Sequence, residues 1–148
     1  MKTVLVDIDH TLSDAYWRDP EDNPMGKTDW DQYHQSSVYD DPFEHMIDLI
    51  NLMHGPYHIV GLTTRPEKWR GITITWLVNH RVEMDDLLMR PNDCYLHIPE
   101  SKLATVERSF KSLSEIHLLI DDNENVVKKF QEEGIPCLQV HGRRHAKP

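Results

Sequence analysis

Four short apolar runs punctuate the chain: residues 3 to 7, HIVGLTT at 58 to 64, IHLLID at 116 to 121 and PCLQV at 136 to 140. Their length and their β-branched, aliphatic content predict buried strands, and a weaker fifth, LLMR, occupies 87 to 90. Helical patterns lie between them. DPFEHMIDLINLMH starts at about Pro42, RPEKWRGITITWLVNH at about Pro66, PESKLATVERSFKSL at about Pro99 and DNENVVKKFQEEG at about Asn123. Proline or an Asp/Asn cap opens the last three, and Gly134 followed by Pro136 stops the final one. Strand and helix alternate, which predicts an α/β fold with a mainly parallel sheet covered on both faces, a Rossmann-like three-layer sandwich.

Residues 13 to 41 break this rhythm. The stretch carries prolines, many acids, aromatics and no long apolar period, and it reads as an inserted loop with one short helix around Trp30 to Gln35. Insertions of this length within a domain are usually functional. The expectation is a small cap placed after the first strand. At 148 residues the length prior gives one domain, and the basic tail HGRRHAKP is expected to fray.

In an open α/β sheet, ligands bind outside the carboxyl ends of the strands. The first strand ends in Asp7, with Asp9 and Thr11 following; the second ends in Thr63, Thr64 and Arg65. The weak strand ends in Arg90, and the next in Asp121 and Asp122. Carboxylates, hydroxyls and two arginines thus meet at one edge. Burying unpaired carboxylates costs several kcal/mol, so a counter-ion is called for, and this oxygen-rich set suits Mg²⁺.

Charge and composition narrow the choice. A formal net charge of −9 argues against a nucleic-acid-coating role, which needs accumulated Lys and Arg, without excluding a grip on one phosphate. Two cysteines, Cys94 and Cys137, build neither a disulfide scaffold nor a thiolate zinc site. The apolar start is cut by Asp7 too early for a signal peptide, and no segment reaches membrane-spanning length, so the expected location is the cytoplasm. The ten histidines show no metal-ligand spacing.

The run VLVDIDHTL, with IVGLTTR, Lys102 and LLIDDNENVV following in order, resembles the haloacid dehalogenase-like (HAD) phosphohydrolases. Within that superfamily the arrangement is most similar to the 3′-phosphatase domain of phage polynucleotide kinase-phosphatases, to whose Arg-Pro-Asp segment MRPND is close. The resemblance implies that Asp7 attacks phosphorus and that Asp9 serves as acid and base. It also implies that Thr63 hydrogen-bonds the phosphoryl group, that Lys102 neutralises it, and that Asp7, Asp9, Asp121 and Asp122 hold Mg²⁺. Asp9 should then have a raised pKa. Substrate contacts are expected from Thr64, Arg65, Arg90 and His10, the last standing where the family usually has a small residue, often Gly.

The bland alternatives stay open at this point. Asp121 or Asp122 could cap the following helix, Thr63 could cap one before Pro66, and Lys68 or Lys111 could replace Lys102. Arg65 and Arg90 could form surface ion pairs, and Trp17, Trp30 and Tyr33 could either stack on a base or pack the insertion. The expected substrate is a phosphomonoester: a nucleic-acid 3′ end first, then a nucleoside monophosphate, then a small metabolite. A catalytically silent binding module is the reading from another class.

Overall fold

A computed structural model describes residues 1–20 and 28–141. The basic tail falls almost wholly outside these residues, as does part of the insertion. Five parallel strands form the sheet: β1 (Thr3–Val6), β4 (His58–Pro66), β5 (Asp86–Arg90), β6 (Ile116–Asp121) and β7 (Cys137–Gln139), in the order β5-β4-β1-β6-β7. The central strand is buried along its whole length, which is why it reads as a continuous apolar run rather than an alternating one.

Alternate residues of β1 feed two separate cores. Val4 and Val6 pack with Met46, Ile47 and Ile50 of α2 (Glu44–Met53) and with Trp76 and Leu77 of α3 (Arg70–Asn79). Leu5 packs with Leu103 and Val106 of α4 (Ile98–Ser109) and with Val126 and Phe130 of α5 (Glu124–Glu132). The three-layer sandwich follows from this period of two. Pro99 sits in the first turn of α4, and Asn123 caps α5 by accepting from the Asn125 and Val126 amides.

Two boundaries differ from expectation. β4 runs on to Pro66, and α3 starts only at Arg70, after a 3₁₀ turn at Glu67–Trp69. The proline ring forces the preceding Arg65 into extended backbone, so the strand continues where a helix was predicted. α2 begins at Glu44, because Asp41–Pro42 forms β3, a two-residue strand antiparallel to β2 (Ser13–Asp14). This ribbon closes the base of the insertion, whose expected short helix is α1 (Trp30–Gln35).

Gly61 on β4 is fixed by close approach. A Cβ there would lie 2.8 Å from Leu87 Cδ1 and 2.9 Å from Met84 Sδ. Gly61→Ala is expected to cost about 1–3 kcal/mol of overpacking strain, read as a lowered Tm with unchanged far-UV dichroism.

Candidate active site

The first-strand turn is built around one carbonyl. Ile8 O accepts from the amides of Thr11, Leu12 and Ser13 at 2.8 to 3.1 Å, which folds the chain back directly after Asp7. The turn requires φ of 68° at His10, the left-handed region that glycine adopts without penalty. This accounts for the small residue usual there. The His10 ring lies against Tyr16 at 4.0 Å between centroids, and its Nε2 is 3.2 Å from Asp19, so it turns into the insertion. Burial lowers its pKa, but Asp19 and Asp9 outweigh burial and raise it.

Four of the predicted residues converge. Asp7 Oδ1 accepts from Lys102 Nζ at 2.7 Å, Asp7 Oδ2 accepts from Thr11 Oγ1 at 2.9 Å, and Lys102 Nζ also donates to Asp121 Oδ2 at 2.6 Å. Asp7, Asp121 and Asp122 each place a carboxylate oxygen within 4.8 Å of the others. Lys68 and Lys111 therefore play no part in this bridge; the interior position of α4 selects Lys102, which is 3% exposed. The alternative that Asp121 or Asp122 caps α5 is displaced by Asn123, whose amide donates to Asp121 Oδ1.

Electrostatics follow from this crowding. Burial and Asp7 push Asp121 up to about 6 and Asp122 up to about 9. Burial disfavours the Lys102 ammonium, yet Asp121 and Asp7 overcome it and hold the group charged. With Asp9 and Asp40, five carboxylates meet three cationic side chains, Lys102, Arg18 and Arg65. With all five ionised the excess is two negative charges, which one divalent cation would balance while displacing the proton of Asp122, and the all-oxygen donor set of Asp7, Asp121 and Asp122 fits a hard ion.

Asp9 corrects two expectations. It stands outside the carboxylate cluster, because Arg65 grips it through Nε at 3.1 Å and Nη2 at 2.7 Å while Arg18 Nη2 donates at 2.6 Å. Burial alone would raise its pKa, but Arg65 and Arg18 outweigh burial and hold the carboxyl well below the usual range, the opposite of the shift expected. Arg65, 1% exposed, is thereby committed to Asp9 and, through Nη1, to Thr73. Half-buried Arg90 donates to Cys94 O at 2.7 Å and to Leu96 O at 3.0 Å through Nη2 and so braces the 91–97 loop. Thr63 is buried and accepts from the Arg65 amide at 3.1 Å rather than capping a helix. Half-buried Thr64 joins none of these hydrogen bonds among the described residues.

Arg18 and Asp40 are the participants that the sequence did not single out. Arg18 Nε and Nη2 donate to Asp40 at 2.9 and 2.8 Å, and Asp40 also receives Trp17 Nε1 at 2.9 Å. Trp76 Nε1 on α3 holds the Asp40 carbonyl at 2.9 Å. The insertion is thus anchored to the sheet through a buried ion-pair chain ending on Asp9. Arg18 is one of two formally charged basic residues, with Lys27, in a mainly acidic insertion, which was the available signal.

The sequence profile of the polynucleotide kinase PNKP phosphatase domain matches residues 1–144. The chain belongs to this family. It is a phosphatase of the HAD fold. Among solved structures, the Pnkp1/Rnl/Hen1 RNA repair complex contains a chain similar to this one, with 24% identity, a TM-score of 0.78, and coverage of 94% of this chain and 42% of that one. The PNKP-type phosphatase described here therefore spans less than half the length of that relative. A predicted phosphatase from Clostridium acetobutylicum is similar at 16% identity and TM-score 0.71, covering 95% of this chain and 85% of that one. The HAD-hydrolase YfnB from Bacillus subtilis, bound to magnesium, is similar at 14% identity and TM-score 0.66, with 92% and 86% covered. No curated protein matches. Among the described residues no helix is long and apolar enough to cross a membrane.

Proposed function

We propose that this phosphatase removes 3′-phosphates from nucleic-acid ends, with Asp7 as nucleophile and Mg²⁺ as cofactor. The observation that carries the mechanism is the bridge Asp7–Lys102–Asp121, which points the nucleophile and a fixed ammonium at the same place. The membership in the PNKP phosphatase family carries the substrate class. Asp7, Asp121 and Asp122 would hold the metal, which supplies charge neutralisation of the phosphoryl oxygens.

Asp7 attacks phosphorus and forms an aspartyl-phosphate, and the leaving oxygen takes a proton from Asp9; water then attacks, returns its proton to Asp9 and restores Asp7. Asp9, ionised between Arg65 and Arg18, stands in the state needed to accept a proton from water. Before donating one in the first step Asp9 must take up a proton from solvent, which becomes favourable when Arg65 turns from Asp9 toward the substrate phosphate and so makes the substrate contact expected of it. Thr63, whose oxygen accepts from the Arg65 amide, keeps its hydroxyl hydrogen for a phosphoryl oxygen.

The net charge of −9 favours a second reading, a nucleotidase acting on free mononucleotides. A single assay separates the readings: Mg²⁺-dependent phosphate release from a 3′-phosphorylated oligonucleotide, its 5′-phosphorylated counterpart, 3′- and 5′-mononucleotides and a sugar phosphate. Selective release from the 3′-phosphorylated oligonucleotide is expected. Preference for mononucleotides selects the second reading, and no release from any substrate, with metal bound, leaves a binding module.

A further inference from the structure

Among the described residues, four buried side-chain polar atoms have no hydrogen-bond partner: His10 Nδ1, His34 Nδ1, Ser37 Oγ and Trp69 Nε1. Such atoms are rare in folded proteins, and here they gather around the insertion and the turn that leads β4 into α3. His34 and Trp69 are neighbours, their ring centroids 6.4 Å apart, and Trp30 lies 6.3 Å from His34 on the same helix α1. Arg18 ties this cluster to the site, with its guanidinium 4.5 Å over the Tyr33 ring while Nη2 holds Asp9. The cluster therefore borders Asp9 rather than Lys102.

We propose that Trp30, His34 and Trp69 form a nucleobase-binding wall for the nucleoside that carries the scissile phosphate. The inference rests on the function proposed above: Asp9 serves the leaving oxygen, so the departing nucleoside stands on the side of Asp9. Trp30, 56% exposed, offers a ring face for stacking. Trp69 Nε1–H is a donor, and His34 Nδ1 in the neutral imidazole is an acceptor, a pair that the polar edge of a base can meet. The occupant is a base as a class, since every base has a π face and polar edge atoms.

Both atoms are buried, so the base reaches them when α1 shifts. That helix is built for this. It has no buried residue, and its link to the turn before α3 includes an exposed Lys68–Asp31 pair at 2.7 Å. Exposed pairs of this kind hold weakly.

The test compares two 3′-phosphorylated oligonucleotides, one with an ordinary terminal base and one with an abasic terminal sugar. The wild type is expected to favour the base-bearing substrate by about tenfold or more in kcat/KM, mainly through KM. Trp30→Ala and Trp69→Phe are each expected to collapse that ratio toward one. Trp30 is exposed and Trp69→Phe keeps a ring while removing the N–H, so both variants are expected to fold, and thermal melts check this. Equal kcat/KM for the two substrates in the wild type overturns the wall and leaves the 3′-phosphatase reading standing. A ratio that survives in both variants also overturns the wall, whereas no turnover of either substrate overturns the function and the wall together.

Discussion

Asp7→Asn is expected to abolish phosphate release, by about 10⁴-fold or more, while leaving the fold intact. The amide is the same size but cannot attack phosphorus or accept from both Lys102 Nζ and Thr11 Oγ1, the two donors that now fix Asp7. The effect on stability should run the other way. Removing one negative charge relieves the crowding that pushes Asp121 up to about 6 and Asp122 up to about 9. In chelator, the Tm of Asp7→Asn should equal or exceed that of the wild type. On adding Mg²⁺ the wild type should gain more, because the metal binds the native cluster and stabilises by mass action. Substantial turnover by Asp7→Asn would refute its role as nucleophile. An equal Mg²⁺-induced rise in Tm for both proteins would remove Asp7 from the metal set.

What was legible in the sequence lay where the backbone dictates position. Asp7, Asp121 and Asp122 follow parallel strands, and parallel strands deliver their carboxyl ends to one edge whatever their side chains do. Lys102 was legible only by resemblance, since a helix pattern does not say which lysine faces inward. The expectation that Asp9 would join Asp7 in holding the metal, which came with the resemblance, departs from the geometry. Arg65, held extended by Pro66, instead meets Asp9 and, with Arg18, holds it apart from the cluster. Arg18 and Asp40 stand 22 residues apart in a segment without periodicity, so nothing local announces their pairing.

His34 offers a pH-dependent check on the insertion. Burial lowers its pKa from 6.5 to about 4. The folded protein therefore keeps the ring neutral while the unfolded chain takes up a proton near 6.5. Its contribution to stability is complete above that pH and is lost as pH falls toward 4. An NMR titration should place the His34 midpoint near 4, and a midpoint near 6.5 would show that α1 does not hold the ring buried beside Trp69.

The largest stability effect is expected at Lys102. Its ammonium is buried between Asp7 and Asp121, at 2.7 and 2.6 Å, and no other cation is paired with either carboxylate among the described residues. Lys102→Met keeps much of the side-chain volume and removes the charge, leaving Asp7, Asp121 and Asp122 uncompensated. Breaking a buried pair in this way costs about 3–5 kcal/mol, far more than the intact pair contributes over an apolar replacement. The loss should depend on pH with a definite sign. Asp121 and Asp122 already have folded pKa values above the unfolded 3.8, so the native state binds more protons than the unfolded chain between about 9 and 3.8. Removing the ammonium raises them further. Metal-free Lys102→Met should therefore be least stable at alkaline pH and recover stability as pH falls through that window. Mg²⁺ should restore part of the stability at neutral pH without restoring turnover, since the ion can replace the charge but not the donor aimed at the phosphoryl group. Denaturant melts across pH, with and without metal, would show this. A variant as stable as the wild type at pH 9 in chelator would mean that the three carboxylates do not crowd one another as the geometry requires.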